Sequence, residues 1–566
     1  MKLKNRPNPT KNNKMISLGN APSLYLIRLI RSVIFLITYF MLLLVAFPSA
    51  ADELDVGRQI YENGILPNGK LLMGLGAGEQ QLVGKEAACA NCHKKSGMGG
   101  VEGKTLIPPI SADFLFKPEK HALAVTDPSY PMGITMSDHS YSDSGLVKAF
   151  TKGINYDGRA LISVMPRYQL DDESIKHLVN YLHNLSAIRS IGIDDDGQNF
   201  AAVFTPEVDN KTREIVKAEI EAFVVQHNSN LNQNIRHRRV GFDWLRTKDY
   251  PWKFHYWDLK GDQSTWMVQL EAYYKQQPVF AFVSGVSFQS ADPVQDFCEK
   301  YKTPCLFRSV LYPPDTLSFY SVYFSKGIGL DSALLATGLK NGIIKKPSHV
   351  LQIMSSDKMG ERITADLGKR LLALKIPEDR ISLQTKNLNI IREKLETLKS
   401  NELLVCWCDQ SDIDRLGNVH IPKHSRIYFS GSLMMMKSGL TKFSDTWKTA
   451  RLIFPYEEPD KRLRQLSSFY SWVTGHGFDA KNEVIQSDTY LSMLILQEAL
   501  GQMVNNHFKD YLLERTENIF GMSYNYWGMY SRPSLGPLQR YASKSGYISK
   551  YKNNRWVPES IRIVEE

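Results

Sequence analysis

"QPVFAFVSGVSFQSADPVQDFCEKYKTPCLFRSV", residues 277–310, decides how the longer part of this chain is read. Its opening run, 277–285, is apolar almost throughout and bounded by Pro278 and Gly285, the pattern of a strand buried on both faces of a parallel sheet. A helix over 292–302 and a second strand over 303–310 follow. The same alternation extends in both directions. Upstream stand a strand at 200–206, a helix at 211–230 with Ile215, Ile220, Phe223 and Val224 on one side, and a strand at 238–244. Downstream come a strand at 349–355, a helix at 359–374, and strands at 402–408, 425–431 and 449–456. Apolar strands alternating with helices predict an α/β architecture with parallel sheets, and the length involved exceeds a single sheet.

The residues before this region are of another kind. Residues 1–50 hold Lys2, Lys4, Arg6, Lys11, Lys14, Arg28 and Arg31 and no acid, so they account for most of the formal charge of +10. No basic stripe with interleaved aromatics remains, which argues against nucleic-acid binding. The basic leader runs into "VIFLITYFMLLLVAF", residues 33–47, then "PSAADE". That uncharged run has the length of a signal h-region rather than of a bilayer span, and the small residues after it fit cleavage at Ala50 or Ala51. The expectation is export to the periplasm, with a signal peptide over 1–51 and no stable membrane span after cleavage. An uncleaved anchor is the alternative, interrupted by Arg28 and Arg31.

The chain has 6 Cys and 13 His in 566 residues, yet Cys89-Ala90-Asn91-Cys92-His93 places two thiols and an imidazole within five positions. On one helical turn, the thiols can each add to a haem vinyl group, with His93 beneath the iron. A zinc half-site or a redox dithiol would need a second Cys pair or a thioredoxin-like strand, and the sequence has neither nearby. A thioether suits the sixth position, and Met165, ahead of Pro166, is the best placed. Met98, Met132, Met136, His121 and His139 are the rivals. A helix follows Met165, with Asp171, Asp172 and Glu173 at its start and Ile175, Leu178, Val179, Leu182 and Leu185 on one face, able to pack across the helix bearing the haem motif. "MGLGAGEQQ", residues 73–81, reads as a loop, since its glycines lack the strand-turn-helix setting of a dinucleotide fingerprint.

Residues 52–187 resemble class I cytochromes c through Cys89, Cys92 and His93, the helix and turn "GLVKAFTKGINYDGRAL", and Met165-Pro166 before the closing helix. The resemblance implies an all-α domain holding one covalently bound haem c, with Met165 as sixth ligand. A connector, 188–197, leads to residues 198–560. These resemble type 1 periplasmic binding proteins, the two-lobed branched-chain amino-acid receptors, through strand and helix order and phrases such as "SKGIGLDSALLATGLK", "DTYLSMLILQEAL" and the closing hairpin at 539–560. Residues 561–566 read as a tail. One departure matters: the Gly- and Ser-rich loop usual after the first strand is here "PEVDNKT", which makes an amino-acid ligand doubtful. Ser284, Gly285 and Ser287 could instead offer backbone N–H groups to an anion, or form only a tight turn. The aromatic stretches 249–259 and 523–533 could line a cleft or fill the core.

In an exported chain a Cys298–Cys305 disulfide is an open alternative, and Cys406 and Cys408 point to one face of a strand without further metal ligands. The function expected is an exported monohaem cytochrome exchanging electrons with a periplasmic redox partner, the clamshell serving docking or solute binding. The alternative is a solute receptor or sensor whose haem reports redox state or a gas. An enzyme is not expected, because a His/Met iron has no open position; whether the chain accepts electrons from a periplasmic dehydrogenase stays open.

Overall fold

A computed structural model describes residues 50–117, 140–187, 190–237, 250–289, 292–316, 318–417, 419–438, 447, 449–503, 506–522, 528–552 and 555–565. All of the expected signal segment except residues 50 and 51 lies outside them, as do the strand expected at 238–244 and Met132, Met136, His121 and His139. No described helix is long and apolar enough to cross a membrane.

The N-terminal unit comprises α1 (Ala50–Asn63), β1 (Met73–Leu75), β2 (Gln81–Val83), the single turn α2 (Ala90–His93), β3 (Gly100–Glu102), β4 (Thr105–Ile107), α3 (Ala112–Phe116), α4 (Asp143–Lys152), β5 (Arg167–Gln169) and α5 (Asp172–Asn184). It is therefore not all-α: β1 pairs antiparallel with both β2 and β5, and β3 with β4. Residues 73–81 form a strand and its turn rather than a loop. The Asp171 carboxylate caps α5 by accepting from Ser174 N at 2.8 Å, and Leu178, Val179 and Leu182 are buried along one face, as the periodicity predicts. Leu178, Val179 and Leu182 share an apolar cluster with Cys89 and Ala90 of the haem motif. The helix also crosses α1, where Gly57 lets the backbones close: a Cβ there would lie 2.3 Å from His177 O.

The rest of the chain makes two α/β lobes. The first contains β6 (Ile193–Asp194), β7 (Gly197–Phe204), α6 (Asn210–His237), β8 (Trp252–Asp258), α7 (Trp266–Gln276), β9 (Ala281–Ser287), α8 (Asp292–Lys300), β10 (Cys305–Leu306), β11 (Ser309–Val310) and β12 (Ser321–Val322). Its sheet runs β12-β10-β9-β7-β6, with β8 on β7 and β11 on β9, all parallel except β6. Every residue of β9 is buried, so its apolar run needs no polar face.

The chain then enters the second lobe through α9 (Ile328–Lys340), β13 (His349–Met354), α10 (Lys358–Ala373), β14 (Glu378–Ser382), β15 (Glu402–Trp407), β16 (Ile427–Ser430) and β17 (Arg451–Phe454). It returns to the first by α11 (Glu483–Gln502) and α12 (Lys509–Met522), and closes with β18 (Ser545–Lys552), β19 (Arg555–Pro558) and β20 (Ile563–Val564). The second sheet runs β14-β13-β15-β16-β17-β18-β19; β13 to β17 pair in parallel, and β18 antiparallel to β17, β19 and β20. Helix α11 lies under β9, where Thr489 Oγ1 meets Ser284 Oγ at 3.0 Å.

Two expected boundaries change. The connector is stitched into the first sheet, Ile193 pairing with Gln198 and Asp194 with Gly197. The tail is a strand, with Ile563 buried and Glu565 paired to Lys326 at 2.6 Å.

The N-terminal unit is docked on the first lobe. Ser96 N and Oγ donate to the Glu514 carboxylate of α12 at 3.0 and 2.5 Å, Lys95 Nζ lies 4.1 Å from the Phe319 ring centroid, and Met98 is wholly buried in the lobe's core. Phe319 stands two residues before β12. The dock therefore lies where parallel strands begin. The space between the lobes lies where they end, beyond Glu207 after β7 and Gln289 after β9. Eight residues of β7 separate these ends by roughly 25 Å.

Candidate functional site

Two regions carry chemistry: the Cys89–His93 turn and the cleft between the lobes. In the first, α2 brings Cys89, Cys92 and His93 onto one turn, with His93 N donating to Cys89 O at 2.9 Å, and both cysteines unbridged. His93 Nδ1 donates to Pro108 O at 3.0 Å; a carbonyl only accepts, so the proton sits on Nδ1 and the Nε2 lone pair is left for a ligand. Burial pushes the imidazole down to about 4, which keeps it neutral, and pushes the Cys89 thiol up to about 11. Tyr61 Oη donates to Lys94 O at 2.8 Å and fixes the exit of the turn.

Met165 packs against the same apolar cluster as Cys89 and Ala90, which includes Tyr61, Phe150 and Leu178. Its loop is held by Arg167, whose guanidinium donates to Met165 O and, at 3.0 Å, to Leu161 O. Met98, a rival thioether, is spent in the core of the first lobe. The donor set therefore suits a c-type haem: two thiols on one turn, a neutral imidazole with a free Nε2, and a thioether in the same apolar cluster.

The cleft is a cavity of about 680 Å³ lined from both lobes. Arg362 of α10 spans it, with Nη1 3.0 Å from Asp292 Oδ2 on α8 and the guanidinium carbon 4.6 Å from the Tyr312 ring centroid. Both partners of the ion pair are partly exposed, so it contributes under about 1 kcal/mol and forms a releasable bridge. The anion cradle expected near Ser284, Gly285 and Ser287 already has an occupant. Glu207 Oε1 accepts from Phe288 N at 3.0 Å, Gln289 N at 3.1 Å, Ser287 Oγ at 3.3 Å and Thr205 Oγ1 at 2.5 Å. Ser284 is turned away toward Thr489, and Gly285 lies against Val203. The residue that fills the cradle stands in "PEVDNKT", the loop whose lack of donors the sequence displays. Its acid is the signal that reading overlooks. Glu207→Ala is expected to free these donors and raise the affinity for small carboxylates by about tenfold or more, read by calorimetry with acetate and leucine; unchanged binding would show that the N–H groups do not face the cleft.

The aromatic stretches are core rather than cleft. Residues 252–258 form β8, with Trp252 and Trp257 buried, and Tyr530 is buried with its hydroxyl donating to Asp488; residues 523–527 lie outside the described residues. The cysteine pairing also differs from the alternative raised by sequence. Cys298 and Cys305 are free, whereas Cys406 and Cys408 form a disulfide with Cα atoms 5.2 Å apart. Two residues on one face of a strand come within bonding distance because the chain leaves the strand after Trp407.

No protein-family model matches the chain, nor does any curated protein. Among solved structures the chain is similar to an ABC transporter substrate-binding protein from Sphaerobacter thermophilus (12% identity, 65% of this chain and 98% of that one, TM-score 0.47). It is similar also to a leucine-binding protein from Thermotoga maritima (9%, 65% and 98%, 0.45), and to a branched-chain amino acid ABC transporter from Thermus thermophilus with bound valine (12%, 65% and 97%, 0.44).

Proposed function

We propose that this chain is an exported solute-binding protein carrying one covalently attached haem c on the closed end of its first lobe. The observation that carries the reading is the cleft, walled by both lobes and bridged by the Arg362–Asp292 pair, which a solute entering between the lobes would meet or replace. Cys89 and Cys92 would hold the haem through thioether bonds, with His93 Nε2 and Met165 as axial ligands. Bound there, the group supplies one-electron chemistry. The chain's own residues do the rest: Pro108 O sets the imidazole tautomer, Tyr61 anchors the turn, and Arg167 positions the Met165 loop.

A second reading, an electron carrier that docks a periplasmic redox partner, is favoured by one observation. Ile162 and Val164, in the loop that leads to Met165, are 54% and 46% exposed and would offer a partner an apolar patch beside the bound group.

The experiment separates the parts. Denaturing electrophoresis with haem staining should show colour on the full chain and none on the Cys89→Ser, Cys92→Ser double variant; colour lost to acid acetone would remove the haem assignment. Met165→Ala should keep the colour and lower the reduction potential. Intrinsic tryptophan fluorescence titrated with a solute panel tests the cleft, and a response abolished by Arg362→Ala supports the receptor. A panel without response leaves the carrier reading.

A further inference from the structure

A second cavity, of about 600 Å³, shares no lining residue with the cleft and falls in the size range of small-molecule sites. Three segments wall it. Glu457, Glu458 and the short helix Pro459–Gln465 lie on the path by which the chain leaves β17 for the first lobe. Arg532 and Tyr547 lie on the way back to β18 and within it, and residues 560–562 stand between β19 and β20. Hydrogen bonds hold the three together. Glu457 N donates to Met529 O at 2.8 Å, Tyr547 Oη to Glu457 Oε1 at 3.0 Å, and Arg562 Nη1 to Ser531 Oγ at 3.3 Å.

Four cations, Lys461, Arg464, Arg532 and Arg562, line this cavity against two carboxylates, and both carboxylates are already engaged. Glu457, 4% exposed, accepts from Tyr547 Oη and, at 2.9 Å, from Glu458 N; Glu458 takes the Lys461 ammonium at 3.2 Å. Arg464, Arg532 and Arg562 are left without a carboxylate partner among the described residues. Three guanidiniums around one cavity repel one another, and a ligand of opposite sign offsets that repulsion. The backbone adds an independent sign. Arg532 has φ +51°, in the left-handed region, where a side chain costs stability that glycine would not. Its guanidinium makes no contact within the fold that offsets this cost.

We propose that this cavity is a second binding site, which takes a small soluble anion bearing phosphoryl groups and at least two negative charges, held by Arg464, Arg532 and Arg562. The guanidinium forks set the class. A carboxylate presents two oxygens and fills one fork, whereas a phosphoryl group presents three and accepts from forks on separate segments. The anion joins the two segments by which the chain passes between the lobes, and so holds them to one arrangement. The site depends on neither the haem nor the cleft.

The test titrates inorganic pyrophosphate into the full chain by calorimetry at about 50 mM salt, where screening is modest. Expected is one site per chain with a dissociation constant of about 100 µM or lower. Arg562→Gln should weaken binding about tenfold or more, because the amide has neither the charge nor the fork. Arg532→Gly should weaken it as much, while the ligand-free chain melts at the same temperature or above, since glycine accepts the left-handed backbone. Phosphatidylglycerol vesicles should not compete with pyrophosphate; competition would give the phosphoryl group to a lipid headgroup and overturn the soluble anion. Absence of binding, affinity unchanged in the Arg532 and Arg562 variants, or tighter binding of citrate than of pyrophosphate would each overturn the proposal. Loss of binding in Arg362→Ala would move the anion to the cleft and do the same.

Discussion

A Gly57→Leu chain should lose the fold of its N-terminal unit while the two lobes still unfold as a separate, later transition. At position 57 a Cβ would stand 2.3 Å from His177 O and 2.6 Å from Tyr181 Cβ. Both atoms belong to or branch directly from the α5 backbone, so no side-chain rotation relieves the contact and the helices must part. Overpacking of this kind costs roughly 1–3 kcal/mol when neighbours can yield, and more when backbone must move. The cluster at stake is small: Ile60, Tyr61, Leu178 and Leu182 lose their facing partners together. Calorimetry should show the early transition shifted or absent, and haem staining should fall with it. Gly57→Ala should act in the same direction with a smaller loss. An unshifted early transition in the leucine variant would show that α1 and α5 do not cross there.

Raising the pH from about 5 to about 8 should lower the melting temperature by several degrees, because buried carboxyls hold protons through that range. Burial pushes Glu219, Asp488 and Glu514 up to about 8 and Asp331 up to about 7, with accepted hydrogen bonds opposing it only in part. In the unfolded chain the same groups ionise near their ordinary values around 4. Between the two values the native state binds more protons than the unfolded state, so stability is full at acid pH and declines as pH rises. Lys509 works the other way above about pH 7, where burial has already discharged it, but it is one group against several. Glu514→Gln should flatten part of the slope while keeping the dock, since an amide can accept from Ser96 N and donate to Ser96 Oγ. A melting temperature that climbs steadily from pH 5 to 8 would contradict these assignments.

Much of the frame was legible because it is written in local patterns. The continuous run at β9 and the three- and four-residue spacing of α5 each report burial directly. Residues 252–258 are less plain, because Lys253 and His255 interrupt the aromatics of a strand that is only half-buried at most positions. The Cys89–His93 turn could be found from spacing alone, yet its fixing to the first lobe could not. Ser96 and Glu514 lie 418 positions apart, and no period or propensity links them. Glu207 was hidden for another reason. An acid in a surface loop is ordinary, and only the fold shows that four donors converge on it.

The Ser96–Glu514 dock also sets how this protein can stand among others. Whatever covers the N-terminal unit lies at the end of the first lobe where its strands begin, about the length of β7 away from the space between the lobes. Occupation of one face does not shade the other. Contact made through the N-terminal unit leaves the cleft lining of Glu207, Asp292 and Arg362 uncovered.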